Sequence, residues 1–173
     1  MARKQPLIVA NFNVFVDGGM KLLGLSEVTL PSFEAMSETL SGAGIMGELD
    51  VPVTGQFSAM TMTMSFKVMY GDPLDFVVAK THRFDLRSAM ELEDPASYER
   101  SVGRERWSVI GPISKIEHGK RAPASVADAT IDVAIRRVEH YMDGRRVLEY
   151  DQLNDIYIVN GMDMYAQVRA AIM

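Results

Sequence analysis

The sequence of 173 residues contains no cysteine. Disulfide-stapled scaffolds, thiolate metal sites and cysteine nucleophiles are therefore excluded. Long apolar runs are also lacking, since no stretch approaches the roughly 18 apolar residues of a membrane-spanning helix. The N-terminal run Leu7–Ala10 is much shorter than the roughly 7 to 15 apolar residues of a signal peptide. We therefore expect a chain that is made and folded in the cytoplasm, without membrane insertion.

Positively charged side chains are fewer than negatively charged ones. The chain has 18 Lys and Arg against 23 Asp and Glu, a formal net charge of −5. Affinity for nucleic acid comes mainly from Lys and Arg displacing counterions, so an acidic chain is a poor candidate for gripping DNA, although DNA could slide past it. Contents of 47% hydrophobic and 24% charged residues are those of a globular protein. The length favours a single domain over residues 1–173.

Alternation with a period of two dominates the chain. Met60, Met62, Met64 and Phe66 share one face of a predicted strand, and small uncharged residues share the other. Residues 82–92 alternate between an apolar face and a charged face that we expect to be solvated. So many short strands favour a mainly β fold, an antiparallel β-sandwich or barrel with one or two short helices. Further strands are predicted at 11–16, 24–30, 106–116, 129–142 and 145–151.

Turn and helix signals separate these strands. Asp143-Gly144 is typical of a two-residue β-hairpin turn, and a change of apolar face near Arg136 predicts a β-bulge. Asp72 as N-cap and Pro73 at the first helical position predict a helix over 71–82. The C-terminal stretch 163–173 fits either a short helix or a last strand. Long loops are predicted at 93–103 and 117–128.

Three glycines, Gly42, Gly44 and Gly47, match the G-x-G-x-x-G spacing of dinucleotide-binding proteins. That motif requires a buried strand before the glycines and a helix after them. The preceding residues lack the Val/Ile-rich run of such a strand, and Pro52 and Gly55 interrupt the helix. No carboxylate stands about 20 residues further on, where the ribose would need one. The glycines therefore predict a flexible loop whose backbone approaches another element closely.

Signals for catalysis are weak. His82, His118 and His140 lie far apart in sequence and do not have metal-ligand spacing. Neither a G-x-S-x-G nucleophile elbow nor a phosphate-binding lysine after the glycines is present. We therefore expect a protein that is not an enzyme and that has no cofactor or metal.

Four short motifs point to a known family. The order and spacing of Asn13–Gly18, Thr29–Pro31, Gly42–Gly47 and Asn160–Asp163 closely resemble the major tail tube protein of contractile-tailed bacteriophages and of the related R-type bacteriocins. The resemblance covers nearly the whole chain, although residues 67–126 match in strand order alone.

The resemblance implies a structural function. Six copies would form a ring, and stacked rings would form a hollow tube in which each subunit contributes strands to a continuous β-barrel around a channel for DNA delivery. The protein would lie in the virion tail, or in a bacteriocin particle, after assembly in the host bacterial cytoplasm. The expected partners are further copies of the chain, the tail sheath protein, the tape measure protein, the baseplate hub and the tail terminator. DNA would pass without specific binding.

The resemblance also implies two sets of functional residues. Residues 40–55 would form an extended hairpin loop that reaches neighbouring subunits, with assembly residues Gly42, Gly44, Ile45, Met46, Gly47, Glu48 and Asp50. Candidates for lining the channel, chosen by strand alternation, are Glu34, Glu38, Thr61, Thr63 and Ser65.

Two alternatives stay open at this point. One is the tube protein of another contractile injection machine or of a type VI secretion system, which a neighbouring sheath or tape measure gene would distinguish. The other is a small β-barrel enzyme or ligand-binding domain, which would need a pocket with convergent polar groups.

Overall fold

The computed structural model describes residues 4–22, 24–67 and 80–172. Most of the predicted helix over 71–82 lies outside these residues. No helix in the described part is long and apolar enough to cross a membrane. The described elements, in chain order, are β1 (Gln5–Val16), β2 (Met20–Lys21), β3 (Leu25–Thr29), β4 (Ala35–Ser41), β5 (Glu48–Phe57), β6 (Thr61–Phe66), β7 (Thr81–Glu93), β8 (Arg100–Glu117), β9 (Ala129–Ala134), β10 (Arg137–Met142), β11 (Arg145–Asp151), β12 (Ile156–Val159), β13 (Met162–Asp163) and α1 (Ala166–Ile172).

Two antiparallel layers build the body of the fold. The large sheet has the strand order β13-β12-β11-β10-β8-β7-β1-β2, and the small sheet contains β3, β6 and β9 with the end of β8. Strand β8 belongs to both layers, because its first part pairs with β7 as far as Pro112 and its last part, from Ile113, pairs with β9. These pairings confirm the predicted mainly β, antiparallel fold.

Alternating apolar residues fill the space between the layers. Met62, Met64 and Phe66 on β6 and Met60 just before it are buried in one cluster with core residues of β1 and β7. This arrangement confirms the face predicted from alternation. The core cluster consists of Val14, Val16, Met60, Met62, Met64, Phe66, Phe84, Leu86, Val109, Ala129, Ile131, Val133, Ile135, Val138 and Tyr150.

The predicted single strand over 129–142, with a bulge near Arg136, is wrong in detail. The strand ends at Ala134 and a new one begins at Arg137, because the chain leaves the small sheet and joins the large one. At the crossing the Ala134 carbonyl lies directly over Gly111, where any Cβ atom would overlap it. The change of apolar face therefore reflects a change of sheet, which a close backbone approach at Gly111 permits.

The predicted loops have mixed outcomes. Residues 118–128 form no strand, as expected. The predicted loop over 93–103 is wrong at both ends, because Glu93 pairs with Arg100 and the turn is confined to residues 94–99. Leu92 packs on Gly103, which extends the contact between β7 and β8 to the end of the hairpin.

The structure contains the predicted hairpin turn at Asp143-Gly144 and decides between helix and strand at the C-terminus. Asp143 and Gly144 both have positive φ, 48° and 81°, and they join Met142 to Arg145 in the predicted two-residue turn. The C-terminal stretch forms the helix α1 rather than a strand. An ion pair between Arg169 and Asp163 ties this helix to β13. A hydrogen bond from Arg169 to the Asp155 carbonyl ties it to the turn between β11 and β12.

Candidate assembly surface

Strands β4 and β5 form a hairpin that projects from the body, here called the arm (residues 35–57). Within the described residues these strands form ladder pairs with each other alone. At the base, the Tyr150 hydroxyl donates a hydrogen bond to the Gly55 carbonyl and the Gln56 side chain donates one to the Tyr165 hydroxyl. Every residue of the arm from Ala35 to Thr54 is exposed. An arm without a buried residue between Ala35 and Thr54 gains little from folding alone, so its shape suits contact with another molecule.

The tip of the arm carries the glycine motif. Gly42, Gly44 and Gly47 all have positive φ, and a strand rather than a helix follows them. The structure therefore excludes the dinucleotide-binding arrangement and agrees with the predicted loop. Ile45 and Met46 lie between the glycines with exposed fractions of 38% and 106%, so the most prominent side chain of the tip is apolar.

The two faces of the arm differ in chemistry. Cross-strand partners share a face of a hairpin, which puts the pair Leu40–Leu49 and the pair Glu38–Val51 on one side. The pairs Ser41–Glu48, Thr39–Asp50 and Ser37–Pro52 share the other side. The Thr39 hydroxyl donates a hydrogen bond of 2.6 Å to Asp50. The arm therefore presents a mostly apolar face and a polar, acidic face.

An aromatic cluster fixes the base of the arm to the body. Phe57 makes edge-on contacts with Phe33, Tyr150 and Tyr157, with ring centroids 5.2–5.5 Å apart. Gly55 has a φ of 75°, and a Cβ atom there would lie 2.6 Å from the ring of Tyr165. These contacts fix the direction in which the arm leaves the body, on the side formed by β11, β12 and the turn before α1.

The residues predicted to line a channel fall in two places. Thr61, Thr63 and Ser65 lie together on the outer face of the small sheet, away from the core. Glu38 lies on β4 within the arm, and Glu34 directly precedes the arm at its base. Within one chain the two sets share no sheet.

Sequence reasoning did not identify the other members of the outer face of the small sheet. The Thr63 hydroxyl donates a 2.7 Å hydrogen bond to Asp132, its cross-strand partner. Register places Glu27, Lys115 and Glu117 on the same face. The face is therefore polar with an excess of carboxylates. These residues could not be assigned to the face from the sequence, because the sequence does not give the register between distant strands.

The free edge of β1 was also missed. Among the described residues, strand β2 pairs with β1 only at Phe15 and Val16, so residues 5–12 form an edge of the large sheet in this part of the chain. Leu7, Ile8 and Val9 are 42–62% exposed there. An exposed apolar edge strand is a ready template for pairing with another chain. The apolar run at residues 7–10 is the sequence signal for this edge.

The outer face of the large sheet holds a network of ion pairs. Asp85, Glu139, Glu149 and Asp151 are buried, at 5–8% exposure, beneath arginines. Arg106 pairs with Asp85 at 3.0 Å, and the other pairs involve Arg83, Arg137 and Arg146. Burial disfavours ionisation of Asp85, but hydrogen bonds with Arg106 and Ser108 outweigh it and hold the pKa below its ordinary value. The predicted fully solvated face of β7 is therefore wrong at Asp85.

A second polar cluster lies on the core face of the large sheet, beyond the cover of the small one. The rings of Trp107 and His140 stack with centroids 3.9 Å apart. His140 Nε2 lies 2.9 Å from Glu105, which also accepts hydrogen bonds from Trp107 and Ser88. The hydrogen bond with His140 is the main cause that lowers the pKa of Glu105 to about 2. Trp107 is partly buried and also packs against the core.

Metal-binding geometry is not found in the described residues, where no group of three His, Asp or Glu side chains could hold an ion. His82 Nδ1 lies 2.9 Å from the Asp17 carboxylate. Among the described surfaces, the exposed arm has the clearest features of a contact site, because none of its residues from Ala35 to Thr54 is buried.

Comparison with known proteins gives this fold its class. The family model described as phage tail tube protein FII matches residues 6–172, and the chain belongs to that family. It is similar to the tail tube protein of Escherichia phage P2, with 28% identity over 176 residues that cover 99% of this chain and 98% of the relative.

A solved structure shares the fold. The match is to a chain in the cryo-EM structure of an extracellular contractile injection system, described as the PVC sheath/tube terminator in the extended state. The TM-score is 0.55 at 16% identity, covering 79% of this chain and 97% of the other. The resemblance drawn from the four motifs is thereby confirmed at the level of family and fold.

Proposed function

We propose that this protein is the structural subunit of the inner tail tube of a contractile phage tail or phage-like particle, in which six copies form a ring and rings stack into a channel for DNA. The observation that carries the proposal is the exposed arm in a member of the tail tube family. Head-to-tail contacts between identical chains produce closed rings or open filaments, depending on the rotation. The arm and the free edge of β1 are two different surfaces, as such contacts require.

The arm is the proposed assembly element. Ile45 and Met46 would enter an apolar hollow of a neighbouring copy, and Gly42, Gly44 and Gly47 would let the two backbones approach closely. Glu48 and Asp50 would supply polar contacts at the margin. The aromatic base keeps the arm extended before a neighbour arrives, which lowers the entropic cost of association.

The outer face of the small sheet is the proposed channel wall. Thr61, Thr63 and Ser65 offer small side chains without positive charge. Glu34 at the base of the arm and Glu38 on β4 would add negative charge. A wall rich in arginine would hold each phosphate, whereas an acidic or neutral wall lets DNA slide. The proposed partners are the tail sheath protein, the tape measure protein, the baseplate hub and the tail terminator, and the site of action is the virion tail.

Electron microscopy of the purified protein over a concentration series, with size-exclusion chromatography, tests the proposal. The native chain should form hollow rings or tubes with a six-fold end view. The double variant Ile45→Asp with Met46→Asp should remain a folded monomer, because two carboxylates cannot be buried in an apolar hollow without a large desolvation cost. Tubes in normal yield from that variant would contradict the role of the arm.

The channel wall needs a separate test. In an infectious particle, Glu34→Lys with Glu38→Lys should slow DNA delivery while tubes still assemble, because added cations would hold phosphates. A matched control, Glu99→Lys with Glu93→Lys in the β7–β8 hairpin, adds the same charge elsewhere. Equal infectivity of both variants would remove the two glutamates from the channel.

A further inference from the structure

One end of the outer face of the large sheet differs from the rest. Arg83, Arg106, Arg137 and Arg146 each form an ion pair with a carboxylate of the same face. Arg87 and Arg104 form none with any residue in the described ranges. The arginines of one sheet face are therefore neutralised at one end and left uncompensated at the other.

The uncompensated arginines border a concavity of about 500 Å³, here called the arginine trough, which lies over β1, β7, β8 and the β10–β11 turn. Its lining includes Arg87, Arg104 and Arg106 together with Asn13, Ala89 and Tyr141. The volume falls in the range of roughly 300–1,000 Å³ found for ligand pockets. Glu105 also lines this hollow, but its carboxylate already accepts hydrogen bonds from Ser88 and Trp107. Positive charge therefore predominates around a hollow that is large enough for several side chains.

Contacts within the sheet hold these arginines in place. The Arg87 guanidinium lies 4.7 Å from the centre of the Phe15 ring, and the Arg106 guanidinium lies 5.4 Å from that of Tyr141. The backbone of Arg104 exchanges hydrogen bonds of 2.8 and 2.9 Å with Asp143 in the turn. A guanidinium that stacks on a ring keeps its N–H groups available for a carboxylate. The trough is thus arranged for an acidic group.

We propose that the arginine trough receives the tip of the arm (residues 42–50) from a second copy of this chain, an inference that rests on the proposed tube function. The tip matches the trough in two respects. Ile45 and Met46 are exposed apolar side chains that fit beside Ala89 and the Tyr141 ring. Glu48 and Asp50 follow them on the acidic face of the arm and would pair with Arg87 and Arg104.

The partner is a different copy because of where the arm is anchored. Its base packs on Tyr150, which belongs to the core face of the large sheet. The trough opens on the opposite face, the one that carries the neutralised ion pairs. Contact between the tip of one copy and the trough of the next is also head-to-tail, so it repeats from copy to copy.

Nucleic acid fits the trough less well. Strong binding to a phosphate backbone needs many cations in a row, whereas this hollow has two uncompensated arginines and the whole chain carries a charge of −5. An acidic peptide segment needs only a few cations and uses the hollow for its apolar side chains. The tip of the arm has both features in one short stretch.

A charge-swap series tests the pairing. Arg87→Glu with Arg104→Glu, and separately Glu48→Lys with Asp50→Lys, should each lower tube yield by more than about tenfold, since like charges across an interface are strongly unfavourable. The chain carrying all four substitutions should regain tubes, because the charges are again opposite. The control Arg87→Lys with Arg104→Lys keeps the charge and should assemble. Normal yield from the trough reversal, or no recovery in the fourfold variant, would overturn the pairing.

Cross-linking gives an answer that does not depend on tube yield. The native chain has no cysteine, so Met46→Cys with Ala89→Cys introduces the only thiols. Mild oxidation should give a ladder of covalently joined copies, whereas each single variant should stop at a dimer. The control Met46→Cys with Val126→Cys should give no ladder, because Val126 lies in the 118–128 loop. A single monomeric band would overturn the inference.

The outcomes separate this inference from the function on which it rests. If the native protein forms tubes while the ladder and the charge-swap recovery both fail, the docking inference is wrong and the tube function stands. If the native protein forms no tubes but the ladder appears, docking is correct and the tube proposal fails. A DNA oligonucleotide whose binding is lost in the Arg87→Glu, Arg104→Glu variant, with tube yield unchanged, would assign the trough to nucleic acid and overturn docking of the arm.

Discussion

The two-layered body and the arm achieve order by different means. The body encloses a core in which Val14, Met64, Val109, Val133 and Val138 have no exposed surface at all. No residue of the arm between 35 and 54 is buried, and within the described residues its strand pairing is confined to its own two strands. Isolated two-stranded hairpins are at best marginally stable in water. The body is therefore stable by its own packing, and the arm depends on its aromatic base and, in our proposal, on a neighbour.

The difference between the buried core and the exposed arm separates the stability of the fold from the proposed assembly. The core residues of the body and the tip of the arm occupy separate parts of the sequence. A substitution in one part should therefore leave the property of the other part nearly unchanged. The following predictions test that separation, beginning with the largest expected effect.

Truncation of a core side chain should affect the body strongly. Phe84 is 1% exposed between the two layers, and Phe84→Ala should lower the free energy of unfolding by about 3–5 kcal/mol because it leaves a cavity. The matched variant Met46→Ala, at the fully exposed tip, should change it by less than about 0.5 kcal/mol. Urea unfolding of dilute monomer measures both values. Similar losses in the two variants would show that the tip also supports the body.

The junction between the regions should be sensitive at Gly55. Gly55→Val forces a branched side chain into a positive-φ conformation, with its Cβ 2.6 Å from the Tyr165 ring. We expect a loss of about 1–3 kcal/mol from backbone strain and overpacking, together with fewer tubes, because the arm is redirected.

Gly47→Val is the control for this junction, since its φ of 103° is also positive but no atom lies within 4 Å of the added Cβ. Thermal unfolding and electron microscopy of both variants separate strain from displacement of the arm. Equal effects on both readouts would mean that contact with Tyr165 is irrelevant.

The features that could be predicted from the sequence are those that depend only on neighbouring residues. Met60, Met62, Met64 and Phe66 follow strict alternation, and the turn at Asp143-Gly144 depends only on two residues that accept positive φ. The arm was different: its position came from the family resemblance, because Pro52 and Gly55 argue against a helix without specifying an exposed hairpin. Nothing local indicates whether such a hairpin folds back on the body.

The remaining features depend on contacts between distant strands. The break after Ala134 requires Gly111 of another strand, and the burial of Asp85 requires Arg106 from its neighbour. The arginine trough likewise collects residues from β1, β7 and β8. No period within a single strand carries this information, so these parts of the proposed surface could not be predicted from the sequence.

Acid should weaken the body at Glu105, whose pKa in the folded state is lowered from 4.5 to about 2, chiefly by His140. A lowered pKa stabilises the fold above pH 4.5, and this contribution is lost as the pH falls from 4.5 to 2. Since the side chain is partly screened by solvent, we expect the loss to be about 1–2 kcal/mol. Glu105→Gln should flatten this part of the stability profile, measured by urea unfolding at successive pH values. An unchanged slope would show that other carboxylates cause it.

The smallest expected effect compares one kind of hydrogen bond in the two regions. A threonine hydroxyl donates to an aspartate across a strand pair in both, from Thr63 to Asp132 at 2.7 Å in the body and from Thr39 to Asp50 at 2.6 Å in the arm. Thr63→Val should cost about 1 kcal/mol, because the partly buried Asp132 loses a donor that water replaces poorly. Thr39→Val should cost less than about 0.5 kcal/mol, because both groups of the arm are already in water. Equal costs in urea unfolding would mean that the arm is as well sheltered as the body, and the contrast drawn between them would fail.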